Sequence, residues 1–126
     1  MPRRIFIVDD EKPIADTLSV ILRLSGYDAR AFYDAETALS TCEELAPDFV
    51  ISDVAMPGMN GVEFAVQIRD RYPLCGILLF SGQASTMDVL EAAKREGYTF
   101  DFLEKPVHPT DLLAKLETGD RQPDTV

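Results

Sequence analysis

The stretch "IFIVDDEKP", residues 5–13, contains the pattern on which the whole chain is built. Four apolar residues end at two adjacent acids, Asp9 and Asp10. Pro13 then suits the first turn of a helix, where a missing N–H costs no hydrogen bond. The pattern predicts a buried strand followed by a helix. Because adjacent carboxylates repel each other and lose hydration beside a buried strand, the pair needs a compensating partner.

The same strand-then-helix pattern occurs five times along the chain. The predicted strands are "RIFIV" (4–8), "YDARAF" (27–32), "DFVIS" (48–52), "GILLF" (76–80) and "TFDFLE" (99–104). The first, third and fourth are continuously apolar, as strands covered on both faces must be, whereas the second and fifth alternate with polar residues and are predicted at the edges. Right-handed crossovers are then compatible with an α/β fold, a doubly wound five-stranded parallel sheet of order 2-1-3-4-5 with five helices on both faces.

Helix periodicity supports this assignment. In the first helical segment, 13–26, Ile14, Leu18, Ile21 and Leu22 recur at helical spacing and predict one buried face, and Gly26 suits the helix end. The second helix is predicted over residues 35–46.

Composition narrows the class of protein. The 126 residues carry 22 acids against 12 bases, for a net charge of −10, which disfavours direct binding of nucleic acid. No apolar run is long enough to span a membrane or to act as a secretory signal, so we expect a cytoplasmic protein. Cys42 and Cys75 have no metal-binding spacing and are predicted to be reduced structural thiols. We predict one domain over residues 1–117 and a flexible polar tail or linker stub over 118–126.

Five polar side chains are predicted at the carboxyl ends of the strands, the edge where open parallel sheets bind ligands. They are Asp9, Asp10, Asp53, Ser81 and Lys105. Taken singly, each acid could equally well serve as a helix cap. Together, three carboxylates need a cation, and oxygen ligands without histidine or cysteine favour Mg²⁺, with Mn²⁺ as a substitute. A carboxylate can also act as a nucleophile toward phosphorus, with a lysine and a hydroxyl contacting phosphoryl oxygens.

The chain resembles the CheY-like receiver domains of bacterial two-component response regulators. The resemblance covers about residues 4–117 and depends on "VDD" (8–10), "SDVAMPGMNG" (52–61), "SG" (81–82) and "KP" (105–106). It implies a flavodoxin-like fold and a phospho-acceptor switch. A sensor histidine kinase or a histidine phosphotransfer protein would phosphorylate the switch, which would then control an output partner that the sequence does not identify.

The resemblance also implies a role for each site residue. Asp53 would accept the phosphoryl group from a phosphohistidine, and Lys105 and Ser81 would contact its oxygens. Asp10, Asp53 and the backbone carbonyl of Ala55 would bind Mg²⁺ directly, and Asp9 would bind it through water. Phe102 occupies the aromatic switch position, and the peptide bond before Pro106 is expected to be cis. Gly82 is expected to leave room for the phosphodonor.

Two features depart from the usual family pattern. The segment "EGYTFDFLEKP" (96–106) has one extra residue between Gly97 and Lys105, which predicts a bulge near the face of the fourth helix, fifth strand and fifth helix. That face is the expected output surface and a candidate homodimer interface. Ala55 and Gln83 flank the site at variable positions and are expected to influence the lifetime of the phosphoryl group.

Two other functions compete with the switch. One is a receiver-like binding module that works without phosphorylation, against which the intact set of five site residues argues. The other is a Mg²⁺-dependent phosphatase, for which a DxD arrangement on the first strand would be expected in place of "DDE".

Overall fold

Five strands and five helices alternate along the chain in a computed structural model that describes residues 2–82 and 84–120, without the side chains of 84–86 and 118–120. The strands are β1 (Arg4–Val8), β2 (Asp28–Phe32), β3 (Phe49–Asp53), β4 (Gly76–Ser81) and β5 (Asp101–Glu104). The helices are α1 (Lys12–Leu24), α2 (Ala35–Cys42), α3 (Gly61–Arg71), α4 (Ala84–Arg95) and α5 (Pro109–Asp120). Among the described residues, no helix combines the length and apolarity that crossing a bilayer requires.

The strands form one parallel sheet in the order β2-β1-β3-β4-β5, which confirms the flavodoxin-like, doubly wound fold. Every residue of β3 is buried, and β1 and β4 are buried except at their first residues. β2 and β5 are largely half-buried or exposed and lie at the edges. The distinction between continuous and alternating apolar runs therefore identified the central and edge strands correctly, because only central strands are covered on both faces.

Helices cover both faces of the sheet. One apolar core lies between the sheet and α1 and α5, and the other lies between the sheet and α2, α3 and α4. Residues alternate between the two cores along each strand: in β1, Ile5 and Ile7 contribute to the first core, and Phe6 and Val8 contribute to the second. The two-sided burial leaves the carboxyl edge of the sheet as the place where strand-end side chains meet.

Helix α1 begins and ends as its sequence predicts, but its buried face is rotated slightly. Pro13 lies in the first turn, and Gly26 takes a φ of 100° just after the helix end, a conformation that glycine adopts without strain. Leu18 and Leu22 are buried, whereas Ile14 and Ile21 are only half-buried. The small residues Ala15 and Ser19 complete the buried face. Close packing against the sheet therefore favours small side chains there, whether or not they are apolar.

Helix α2 ends at Cys42, four residues before the predicted end at residue 46. The N–H groups of Glu43 and Glu44 donate to carbonyls only three residues earlier, which tightens the last turn. Pro47 follows and disfavours a helical conformation at the residue before it. Helix α5 continues to Asp120, three residues beyond the predicted domain end, and residues 121–126 of the predicted tail lie outside the described residues.

The connection from α4 to β5, where a bulge is predicted, packs against α3. Phe100 is buried, and the Arg69 guanidinium lies 4.9 Å from its ring centre. The Tyr98 hydroxyl donates to the Asp70 carboxylate at 2.9 Å. Gly97, with a φ of 98°, turns the chain toward α3. Aromatic contacts with α3 therefore hold this connection in place.

Candidate phosphoryl-transfer and metal site

The carboxyl edge of the sheet brings the predicted site residues together. Asp53 is the last residue of β3, and Ser81 is the last residue of the neighbouring β4. Asp9 and Asp10 follow β1, which pairs with β3 on its other side. Lys105 follows β5 directly, and its N–H donates to the Ser81 carbonyl at 3.0 Å, so the sheet ladder continues as far as this lysine.

The Lys105 ammonium links the acids of the site. Its Nζ lies 3.1 Å from Oδ2 of Asp53, 3.6 Å from Oδ2 of Asp9 and 3.9 Å from Oε1 of Glu11. Desolvation alone would lower the pKa of Lys105, but the hydrogen bond to Asp53 and the nearby negative charges outweigh it and raise that pKa. Lys105 is therefore a permanent positive charge held against Asp53.

Asp9 is the most deeply buried acid of the site, with no exposed surface. Its Oδ1 accepts a hydrogen bond from the Glu11 N–H at 3.0 Å, while its buried Oδ2 has no hydrogen-bond partner among the described residues. Burial raises the pKa of this carboxyl, and the Glu11 hydrogen bond and the Lys105 charge offset the effect only in part. A buried oxygen without a hydrogen-bond donor is the condition in which a cation or its bound water would be stabilising.

Three carboxylates of this site fit a hard divalent cation. Asp9, Asp10 and Asp53 each offer an oxygen, and these oxygens lie within 4.8 Å of one another. Opposite ligands of Mg²⁺ are separated by about 4 Å, so small side-chain rotations or one bridging water would allow all three to contribute. The donor set contains oxygen alone, which suits Mg²⁺ and Mn²⁺ rather than zinc. Asp10 is exposed, so this side of the cluster is open to solvent.

The two predicted switch residues lie on neighbouring strands, Ser81 at the end of β4 and Phe102 within β5. Ser81 is 5% exposed, and its hydroxyl contacts the Met87 sulfur of α4 at 3.9 Å. Phe102 is half-buried on β5 opposite Leu79, and its ring packs against the core shared with α2, α3 and α4. Both residues therefore lie between the site and the face that contains α4.

The loop after β3 is drawn close to Asp53. Gly61 begins α3, and a Cβ at this position would lie 2.1 Å from the Asp53 carbonyl oxygen. The Gly61 N–H donates to the Val54 carbonyl at 2.9 Å, and Asn60 and Glu63 form a reciprocal capping box. Ala55, the predicted carbonyl ligand, is exposed in this loop.

Gly82, predicted to leave room for the phosphodonor, lies beside the Lys105 side chain. A Cβ at Gly82 would lie 3.2 Å from Cδ of Lys105, so the glycine makes room for the lysine stem as it crosses the site. The Lys105–Pro106 peptide bond is cis. Gln83, predicted to influence phosphoryl lifetime, lies outside the described residues.

Sequence reasoning missed three contributors to the site. Gly61 allows α3 to approach Asp53 closely, which the sequence alone did not indicate. Glu11 contributes a third carboxylate near Lys105, which its position directly after "VDD" could have indicated. Glu36 of α2 contacts the loop after β3, and no local sequence signal connects it with Asp53.

Comparisons with known proteins agree with this geometry. The sequence model described as "Response regulator receiver domain" matches residues 5–117. The chain is similar to the chemotaxis protein CheY4 of Vibrio cholerae, with 31% identity over 94% of this chain and 98% of that chain and a TM-score of 0.80. It is similar to a CheY-like receiver domain protein of Methanospirillum hungatei, with 28% identity over 97% of each chain and a TM-score of 0.86. It also matches NtrX of Brucella abortus, with 29% identity over 94% of this chain but 27% of that longer chain, and a TM-score of 0.81.

Proposed function

Because the chain belongs to the response regulator receiver domain family of two-component systems, we propose that it is a Mg²⁺-dependent phospho-acceptor switch with Asp53 as the acceptor. The observation that carries this proposal is the position of Lys105, 3.1 Å from Asp53 and 3.6 Å from Asp9, beside the cluster of three carboxylates. A nucleophile, a fixed cation and a set of metal ligands therefore meet at one solvent-accessible edge.

The chemistry is a transfer of a phosphoryl group from nitrogen to oxygen. One carboxylate oxygen of Asp53 attacks phosphorus, the new O–P bond forms as the N–P bond of the donor phosphohistidine breaks, and the imidazole leaves. Mg²⁺, when bound by Asp10, Asp53 and the Ala55 carbonyl, with Asp9 acting through water, supplies charge neutralisation for the phosphoryl oxygens. Lys105 provides a second positive charge, and Gly82 leaves space for its stem.

Phosphorylation would be transmitted through Ser81 and Phe102. New negative charge on Asp53 attracts the Ser81 hydroxyl away from the Met87 sulfur, which it contacts at 3.9 Å. The space vacated beside Ser81 then admits the half-buried Phe102 ring. The face formed by α4, β5 and α5 changes as a result and controls an output partner, either another protein or a second copy of this chain in a homodimer.

The partners follow from this chemistry. The donor is a sensor histidine kinase or a histidine phosphotransfer protein. Cys42 and Cys75 are free thiols, which suits the reducing cytoplasm where such kinases use ATP. We assign residues 1–117 to the receiver domain and residues 118–126 to a tail or linker that begins within the last turn of α5.

Mass spectrometry after incubation with acetyl phosphate and Mg²⁺ tests the proposal. The wild-type protein is expected to gain one phosphate, and Asp53→Asn is expected to gain none. Asp101→Asn is a matched control, since Asp101 is an exposed aspartate on β5, and it should be phosphorylated normally. Absence of a mass gain in wild-type protein at saturating donor would refute the switch. Normal partner binding by Asp53→Asn would instead favour the phosphorylation-independent binding module.

A further inference from the structure

The loop between β3 and α3, residues 54–60, is tied to helix α2 by one side chain. Oε2 of Glu36 accepts a hydrogen bond from the Met59 N–H at 3.0 Å. Glu36 lies in the first turn of α2, and 23 positions separate it from Met59. The contact therefore joins two elements that are distant in sequence.

Gly58 shows how closely Glu36 approaches the loop backbone. A Cβ built on Gly58 would lie 2.9 Å from Oε2 of Glu36, and Gly58 has a φ of 73°, where glycine is favoured. The carboxylate is thus seated against the backbone of two consecutive loop residues. An exposed glutamate that only solvated the surface would extend into solvent and would not contact the loop backbone.

The loop has other anchors at its two ends and at its methionines. Met56 is buried in the core, and the Gln67 side chain of α3 contacts the Met59 sulfur at 3.8 Å. The Val54 N–H donates to the Phe80 carbonyl, the Gly61 N–H donates to the Val54 carbonyl, and Asn60 is held by the capping box with Glu63. These contacts fix where the loop leaves β3 and where it enters α3. Glu36 is the contact from α2, and it holds the loop backbone at residues 58 and 59.

We propose that Glu36 is a positioning residue for the metal site, holding the loop that carries Ala55 in the conformation that binds Mg²⁺. This inference rests on the proposed function, because Ala55 supplies its carbonyl only if the site is a Mg²⁺ site. A loop held by Glu36 before the cation arrives loses less conformational freedom on binding, so the free protein has a higher affinity. The effect depends on the hydrogen bond that Glu36 accepts, and not on its charge alone.

The substitutions Glu36→Ala and Glu36→Gln separate the two contributions. Glu36→Ala removes the acceptor and should weaken Mg²⁺ binding about fivefold, the size of one hydrogen bond at a solvent-exposed position. Glu36→Gln removes the charge but keeps a carbonyl oxygen that can accept from Met59, so it should restore most of the affinity. Glu44→Ala is a matched control, because Glu44 is an exposed glutamate just beyond the end of α2, and it should bind Mg²⁺ as the wild-type protein does.

Isothermal titration of each variant with Mg²⁺ alone gives the dissociation constants. Hydrogen exchange at the Met59 amide gives a second readout, and it should become faster in Glu36→Ala without Mg²⁺. The rate of phosphorylation by acetyl phosphate should be reduced in Glu36→Ala at low Mg²⁺ and equal to that of wild type at saturating Mg²⁺. A purely structural role would lower thermal stability without changing the Mg²⁺ dissociation constant of the folded protein.

The possible results distinguish a failure of the inference about Glu36 from a failure of the proposed function. If wild-type protein neither binds Mg²⁺ nor gains phosphate, the proposed function fails first. If wild-type protein does both and Glu36→Ala has the same Mg²⁺ dissociation constant, the role of Glu36 is refuted while the switch stands. If Glu36→Gln is as weak as Glu36→Ala, the charge of Glu36 acts and the positioning role is wrong.

Discussion

We expect the close approach of Gly61 to Asp53 to be required both for the stability of the fold and for phosphorylation at the site. Replacement of Gly61 by alanine tests this. The added Cβ would lie 2.1 Å from the Asp53 carbonyl oxygen and 2.9 Å from Cα of Val54. Cβ atoms essentially never approach other heavy atoms closer than 3.0 Å, so α3 and the end of β3 must separate by about 0.9 Å. Because the obstructing atoms belong to the backbone, no side-chain rotation relieves the clash.

The cost of Gly61→Ala follows from the contacts that this movement disturbs. Overpacking a close-packed site costs about 2 kcal/mol. Weakening the hydrogen bond from the Gly61 N–H to the Val54 carbonyl adds about 1 kcal/mol. We therefore expect a loss of about 3 kcal/mol in the free energy of unfolding and a fall in Tm of about 12 °C.

Urea unfolding followed by far-ultraviolet circular dichroism measures this loss. Gly97→Ala is the matched control, because Gly97 has a φ of 98° but no heavy atom within 4 Å of an added Cβ. It should cost only the backbone strain, about 1 kcal/mol. The rate of Asp53 phosphorylation should fall in Gly61→Ala and not in Gly97→Ala. A Gly61→Ala protein as stable as Gly97→Ala would show that the contact with Asp53 is not a constraint.

Two further predictions concern buried ionisable groups. Asp9→Asn removes a buried carboxylate whose Oδ2 has no hydrogen-bond partner among the described residues. In EDTA this substitution should therefore stabilise the protein by about 1 kcal/mol, and it should reduce the stabilisation by added Mg²⁺. An unchanged or lower Tm in EDTA would contradict this prediction. Burial raises the pKa of Cys42 to about 11 and that of Cys75 to about 12, from 9.0. Since the unfolded chain loses these protons first, stability should fall as pH rises above 9, by about 1 kcal/mol per thiol at pH 10. Urea midpoints at pH 8 and pH 10 should therefore converge in the double variant C42A/C75A, and an equal pH dependence in wild type and variant would refute this reasoning.

Local sequence determined the elements of this protein and the strands from which its site residues come. The central strands were recognisable because burial on both faces requires continuous apolar runs, as in β1, β3 and β4. The positions of Asp9, Asp53 and Lys105 at strand ends were equally readable, because parallel strands bring all their carboxyl ends to one edge. These features depend on adjacent residues or on the two-residue period of a strand, and both can be identified in the amino-acid sequence.

Other features depend on contacts between distant segments and were decided only by the tertiary structure. The buried face of α1 includes Ala15 and Ser19, because close packing against the sheet favours small side chains, whether or not they are apolar. The connection before β5 is held by contacts of Tyr98 and Phe100 with α3, which no pattern within the loop indicates.

The same division applies within the site. The sequence by itself placed two acids after β1 and indicated that they need a cation. Only the packed structure shows that Asp9 is the buried member, with an oxygen that has no hydrogen-bond partner among the described residues, while Asp10 faces solvent. The two differ in what surrounds them and not in their own chemistry. Gly61 approaches the backbone of Asp53, and Glu36 contacts the backbone of the loop that follows it. A close approach between separate segments leaves no periodic trace in the sequence.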